Sequence, residues 1–296
     1  MEKIILMTTL LKQDNPQRME EFRKCITTNV QHPSIDKIVI FFEQKNNDVT
    51  LSDLSYLADK KIVVEKIKVY PTFKLFFDYA NEYLKGDYII IANTDIYFDK
   101  ECGIEKVKNL KRDCLWVLTR YNYNSKNDRW ELEDGDWPYH DVEMLGSHDA
   151  WCFLSPIMNF DNDILLGKFG CDAYLSQKAV QASITVVNPS YSIKIKHKHK
   201  NRNKDNTLRD YYLQKDFMKF GRRSCWPPVS QGEKALTPFK RKIEIIKYHI
   251  FMAQIGAKIG AHLKTHHKII QTEGFRKYFL YSYHYRMGKL RKILGM

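Results

Sequence analysis

The chain lacks the marks of several protein classes. None of its six cysteines (Cys25, Cys102, Cys114, Cys152, Cys171 and Cys225) forms a Cys-x-x-Cys pair, and no zinc-ligand spacing appears. This excludes a zinc ribbon or finger and favours reduced, mostly buried thiols over a disulfide framework. No uncharged apolar run approaches the roughly 18 residues that a spanning helix needs, so no transmembrane helix is expected. The opening MEKIILMTTLLKQDN is apolar for only a few residues and has no small-residue cleavage site; it reads as a first strand, not a signal peptide. Internal repeats and low-complexity tracts are absent.

Acidic charge is scarce in one place. The net charge is +13 over 296 residues. Residues 236–296 hold 13 Lys plus Arg against only Glu244 and Glu273. They carry about +11 of the total, and residues 1–235 are nearly neutral. A neutral body argues against a nucleic-acid groove, so no nucleic-acid partner is expected. A linker-like stretch, 227–237, divides the expected main domain (1–235) from a basic amphipathic helical tail (236–296). In that tail Ile243, Ile246, Ile250, Ala253 and Ala257 lie at helical spacing, and Phe275, Tyr278 and Phe279 interleave with Arg276 and Lys277. Such a segment suits an anionic membrane surface. The expected location is cytoplasmic, with the tail peripheral at the inner face of a membrane.

The first half alternates strand-like and helix-like segments. Residues 3–10 (KIILMTTL), 37–42 (KIVIFF), 61–69 (KIVVEKIKV), 87–92 (DYIIIA) and 114–119 (CLWVLT) read as strands. Asn15-Pro16 opens a helix with Met19, Phe22, Ile26 and Val30 on one face, and a second helix follows Pro71 and ends at Gly86. This rhythm predicts an α/β fold with a mixed, mostly parallel sheet and flanking helices. Residues 120–147 are polar, aromatic and irregular and read as a functional loop. Strand character returns at 150–154 and 183–187, on either side of a helix over 170–182.

Three constellations carry chemistry. The fourth strand runs straight into Asn93-Thr94-Asp95, and a carboxylate just past a buried parallel strand sits where α/β sheets bind ligands. Oxygen ligands there suit Mn²⁺ or Mg²⁺. Asp95 is therefore the candidate metal ligand, and Asn93, Asp95 and Thr8 on the first strand are donor-binding candidates; the plain alternative is an Asp that caps a turn. In Ile193–Lys200 (IKIKHKHK) a period of two puts Ile193, Ile195, His197 and His199 on one face and four lysines on the other. The two histidines are placed to reach a metal or phosphate, and Arg202 nearby is a donor-binding candidate; the alternative is a polybasic surface loop. Finally, Asp149 and Asp172 follow glycine-containing turns and flank an apolar strand. Asp172, at a helix N-terminus, is the favoured proton acceptor, and Asp149 is a second catalytic candidate that could instead orient the base. Trp130, Trp137 and Trp151 are candidates for stacking against an acceptor.

The order of these motifs resembles a known family. A strand ends in an Asn-x-Asp variant of the Asp-x-Asp motif. An Asp-x-Trp strand follows, then Gly-Cys-Asp (170–172), then Asn-Pro-Ser (188–190) leading to a His-x-His strand. This looks like GT-A-fold glycosyltransferases, the small type found in bacterial surface-polysaccharide clusters and large DNA viruses, over roughly residues 1–206. The resemblance implies a Rossmann-like nucleotide-sugar half, a divalent metal on Asp95, a late histidine completing metal or phosphate binding, and an acidic base in the second half. It implies transfer of a sugar from a nucleotide-diphosphate donor to a glycan or lipid-linked glycan. Asn93 stands where many members carry Asp, leaving the metal one carboxylate short, and the tail has no counterpart. Two rivals fit less well. A nucleotidyltransferase on a similar fold would want a Gly-rich loop after the first strand, and Thr8–Arg18 holds no glycine. A non-catalytic basic binding protein would spread its charge over the body.

Overall fold

A computed structural model of the chain describes residues 2–11, 15–43, 55–132, 148–167, 171–197 and 230–231. The tail, the expected domain boundary, and the candidates Trp137, His199 and Arg202 lie outside them. Among the described residues no helix is long and apolar enough to cross a membrane.

The described strands are β1 (Ile4–Leu11), β2 (Lys37–Glu43), β3 (Ile62–Ile67), β4 (Tyr88–Ala92), β5 (Ile96–Tyr97), β6 (Cys114–Leu118), β7 (Arg120–Asn124), β8 (Arg129–Leu132), β9 (Ala150–Leu154), β10 (Thr185–Asn188), β11 (Ile195–His197) and β12 (Ser230–Gln231). The helices are α1 (Pro16–Gln31), α2 (Phe73–Tyr83) and α3 (Cys171–Gln181). Eight strands form the main sheet in the order β12-β10-β6-β9-β4-β1-β2-β3. All its pairings are parallel except those of β9, which runs antiparallel between β4 and β6. The expected mixed, mostly parallel α/β sheet with flanking helices is the architecture found.

Alternation along the strands makes two apolar layers. Ile4, Leu6, Ile38, Ile40, Ile90 and Cys152 face α1. Ile5, Met7, Val39, Phe41, Ile89, Ile91, Val117 and Phe153 face the other way, onto α2 and α3. Because both faces are covered, β2 and β4 read as near-continuous apolar runs, and β1 is interrupted only by Thr8-Thr9. Full burial of each Ile or Phe contributes about 1.5–3 kcal/mol. Helix α1 starts where the sequence signals it: Asn15 accepts from the backbone N–H of Gln17 and Arg18, with Pro16 at the first turn. Its face then buries Phe22, Cys25, Ile26 and Asn29.

A second sheet, β5-β11-β7-β8, was not expected. Residues 120–132 form a β7–β8 hairpin instead of irregular loop. The strand signal is muted because Tyr and Asn alternate where apolar residues normally would, and only Arg120 on β7 is buried. Strand β11 enters this sheet past Gly103, whose φ of +78° suits glycine; a Cβ there would stand 2.5 Å from the Ser192 carbonyl oxygen. The five described cysteines are unbridged. Burial pushes the Cys102 thiol up to about 12 and Cys114 up to about 11, so neither is poised as a nucleophile.

Candidate functional site

The C-terminal ends of β1, β4 and β6 meet the beginning of β9 at one sheet edge. Ala150 pairs with both Ala92 and Leu118, so the residues just beyond them, Asn93, Thr119 and Asp149, are brought together. The Asp149 carbonyl accepts from the Asn93 N–H at 3.0 Å, and the Asp149 N–H donates to the Leu118 carbonyl at 2.9 Å. Thr94 Oγ1 donates to the Thr9 carbonyl at 2.6 Å, tying the Asn93-Thr94-Asp95 turn to the end of β1. Buried Asn29 of α1 holds the far side, donating to the Ile96 carbonyl at 3.0 Å and accepting from the Phe98 N–H at 2.8 Å. Thr8, also buried, lines a narrow recess with Asn29, Asn93, Thr94 and Ile96.

Asp95 is the charged centre. Its Oδ2 accepts from Arg18 Nη2 at 2.6 Å and lies 3.1 Å from His197 Nε2. Arg18 also donates through Nη1 to Glu21 Oε2 at 2.9 Å. Burial works against ionisation of Asp95, but the hydrogen bond and charge of His197, with the charge of Arg18, outweigh it. They hold the carboxyl well below its usual range. The expected union of Asp95 with His197, 102 positions apart, is thus present. Register explains it: β11 lies between β5 and β7, so His197 pairs with Ile96 on one side and Asn122 on the other.

Asp149 sits deeper. It is 4% exposed, and its Oδ1 accepts from Arg120 Nη1 at 2.9 Å and Asn93 Nδ2 at 3.1 Å. Burial pushes its pKa up against the pull of Arg120, and the charges of Asp95 and Asp172 add to the rise. So enclosed a carboxylate orients Asn93 and Arg120; it is not placed to meet an acceptor hydroxyl. Asp172, in the first turn of α3, accepts from the His148 backbone N–H through Oδ2 at 2.9 Å. Buried His148 brings Ser176 Oγ within 3.4 Å of its Nδ1.

The tryptophans divide. Trp151 is 1% exposed and packs edge-on against Phe73 at 4.6 Å between centroids. It is a core residue, which corrects its assignment to acceptor binding: β9 is covered on both faces, and an aromatic there fills the layer under α2. Trp130 is only partly buried, with Lys196 Nζ 4.9 Å from its ring centroid and Tyr97 and Tyr123 beside it. The Asn-Pro-Ser motif proves to be a fastener. Ser190 Oγ accepts from the Thr119 N–H at 2.7 Å, and Asn188 Nδ2 donates to Thr119 Oγ1 at 3.0 Å, fixing the chain that leads to His197.

Three charged side chains escaped the sequence reading: Arg18, Glu21 and Arg120. Among the described residues no three His, Cys, Asp or Glu side chains converge as a metal cage. The Asp95–His197 pair still fits a partly protein-bound cation. Two neighbouring ligands of an octahedral ion at about 2.1 Å stand about 3.0 Å apart, and such ions keep waters and substrate phosphates as their other ligands. The 3.1 Å between Oδ2 and Nε2 matches that spacing, as it does a hydrogen bond.

No family model matches the sequence, and no curated protein matches it. Among solved structures, the chain is similar to a 4-diphosphocytidyl-2C-methyl-D-erythritol synthase at 9% identity, over 72% of this chain and 100% of that one, with a TM-score of 0.39. It is similar to S. aureus TarS 1–349 in complex with UDP-GlcNAc at 11% identity, over 71% of this chain and 65% of that one, with a TM-score of 0.47. A third likeness is to a structure described as a nucleotide-diphospho-sugar transferase from Desulfovibrio desulfuricans G20, at 9% identity, over 76% of this chain and 99% of that one, with a TM-score of 0.41. Likenesses this distant assign no residue a role.

Proposed function

We propose that the chain is a glycosyltransferase that moves a sugar from a nucleotide-diphosphate donor to a hydroxyl of a glycan or lipid-linked glycan, with inversion at the anomeric carbon. The observation that carries this reading is the meeting of Asp95 with His197 beside Asn93 at one sheet edge, where Asn93 bonds Asp149 and Asp172 holds the backbone N–H of the neighbouring His148.

Asp95 and His197 would hold a Mn²⁺ or Mg²⁺ ion, which when bound offsets the charge that the diphosphate gains as it leaves. Arg18, shared between Asp95 and Glu21, supplies a second positive charge at the same edge. Asn93, its amide nitrogen turned onto Asp149, offers its oxygen to a hydroxyl of the donor. Asp172 takes the proton of the acceptor hydroxyl as that oxygen bonds to the anomeric carbon; the sugar–phosphate bond breaks and its electron pair goes to the diphosphate. Half-buried Trp130 offers an apolar face to an acceptor sugar.

Asp172→Asn tests the reading. General-base catalysis contributes about 10²–10⁴-fold, so turnover should fall in that range while donor affinity by calorimetry stays near that of the parent. Normal turnover with weakened donor binding would move Asp172 to the donor side. A product of retained anomeric configuration would remove the need for a base.

A further inference from the structure

The register of the second sheet sorts its side chains onto two faces. Successive residues of a strand alternate between faces, and paired residues share one. His197 pairs with Ile96 and Asn122, and Asn122 pairs with Glu131, so these four lie on one face. It is the inner face: Ile96 and Ile195 are buried in the core, and His197 reaches Asp95. The outer face then carries Tyr97, Lys196, Tyr121, Tyr123, Trp130 and Leu132. The contacts agree with the register. Lys196 Nζ lies 4.9 Å from the Trp130 ring centroid, and the Tyr97 and Tyr123 rings lie 6.1 and 5.4 Å from it. Neither ring lies flat on the indole, since the planes cross at 77° and 58°. Trp130 is thus held by three neighbours yet stays only partly buried, and Tyr123 is 51% exposed.

We propose that this outer face, centred on Trp130 with Tyr97, Tyr123 and Lys196, is a saccharide-binding surface that holds a neutral glycan chain away from the reacting edge. The inference rests on the transferase reading above, which makes a glycan the acceptor, and adds a second place where that acceptor is held. Three observations point to this occupant. Aromatic side chains offer apolar faces with polar tips, which suits a sugar ring, with C–H groups on its faces and hydroxyls around its rim. Lys196 is paired with Asp99, so the charge at the centre of the face cancels, unlike a surface for an anionic lipid or nucleic acid. Asp99 and Asp128, the latter bonded to the Tyr123 hydroxyl, put carboxylates with spare lone pairs at the margin, where sugar hydroxyls can donate. The face is also continuous with the candidate site. Lys196 and His197 are neighbours on β11, one outward and one inward, and Tyr97 follows Asp95 by two residues.

The test applies the full chain, with no donor present, to a printed array of neutral oligosaccharides, beside three variants. Trp130→Ala removes the indole, Trp130→Phe keeps a ring, and Glu131→Gln alters the next residue of β8, on the inner face. The parent should bind oligosaccharides of the array. Losing the indole contact should weaken the tightest of these by about tenfold or more in Trp130→Ala. Trp130→Phe should keep most of the binding, and Glu131→Gln should match the parent. Melting curves check that the variants fold. Should Trp130→Ala melt early, Tyr123→Ala, which removes an exposed ring, decides in its place and should also weaken binding. A parent that binds nothing on the array overturns the proposal. So does a Trp130→Ala variant that folds and binds as the parent does, or an equal loss in Glu131→Gln. If sedimentation shows a dimer of the parent that Trp130→Ala dissolves, the face belongs to a second copy of the chain and the proposal falls. Absence of sugar transfer from every nucleotide-diphosphate donor would sink the transferase reading but leave the array result standing, so the two failures can be told apart.

Discussion

Asp95 and Asp149 stand at the same sheet edge, each within 3 Å of a guanidinium, yet their ionisation is pushed in opposite directions. Burial raises both. At Asp95 it is overcome by His197 and Arg18 acting on one oxygen. At Asp149 it prevails, because Arg120 is opposed by the charges of Asp95 and Asp172. Exposure separates them too: the Asp95 side chain is 15% exposed against 6% for Asp149. The same residue type at the same rim thus serves two purposes. One carboxylate is kept charged where a ligand can reach it; the other is walled in, where it aligns its neighbours.

That contrast breaks most visibly at Asp95. Asp95→Ala should remove several kcal/mol of charge stabilisation from the transferring phosphate, a loss on the order of 10³-fold in turnover. Its effect on folding should be small, about 1 kcal/mol or less, because Arg18 keeps Glu21 and the site is partly solvated. Initial rates with and without EDTA, set beside a melting curve, check both halves. Full turnover in EDTA would mean that Asp95 serves Arg18 and not a cation, and the contrast with Asp149 would shrink to one of burial.

Asp149 should show the opposite profile. Asp149→Ala leaves the Arg120 guanidinium buried without its carboxylate, and breaking a buried pair this way costs about 3–5 kcal/mol. For a domain of this size that lowers the melting temperature by on the order of 10 °C. Asp149→Asn, which keeps an acceptor for Arg120 and Asn93, should lose less. Urea denaturation of the two variants measures the difference. If Asp149→Ala is as stable as the parent, the enclosed carboxylate is not a structural anchor, and its case as a base reopens.

The two carboxylates also show how far the sequence could be read. Strands β1, β2 and β4 were plain because covering both faces leaves mostly apolar runs, and Asp95 was plain because it follows the last of them. The period of two in 193–200 put Ile193 and Ile195 inside, as found, and aimed His197 at the right neighbour. Trp151 was misassigned on residue type alone, since a strand covered on both faces offers no polar residue to mark a binding face. Arg120 was hidden because its alternation with Tyr121, Asn122 and Tyr123 lacks the apolar half of a strand signal. Period-two spacing of Arg120, Asn122 and Asn124 was the clue available. Arg18 looked like any solvated helix residue; only the long-range turn after β4 makes it a partner. Local spacing thus revealed which residues carry chemistry, and pairing between distant strands decided which of them meet.

His148, next to Asp149 in the chain and bonded through its backbone N–H to Asp172, gives the smallest but most specific effect. The residue is 5% exposed, and among the described residues its buried Nε2 has no hydrogen-bond partner. Burial lowers its pKa below the usual value, although Asp172 and Asp149 pull the other way. The folded chain therefore keeps this ring neutral at a pH where the unfolded chain, with an ordinary imidazole near 6.5, already binds a proton. When the unfolded state binds more protons, stability rises with pH, so it must fall as the pH drops below about 6.5. The slope from one such group approaches 1.4 kcal/mol per pH unit at most. Asp149 acts in the contrary sense, since its raised pKa lets the folded state take up a proton first on acidification. A single pH profile would blend the two, and a difference between variants separates them. His148→Gln removes the titrating ring but leaves Asp149 and Asp172 in place. Between about pH 7.5 and 5.5 the parent should lose about 1 kcal/mol more stability in urea than His148→Gln does. Equal losses would mean that the ring is not held neutral, and that the charges of Asp149 and Asp172 reach it more strongly than its burial does.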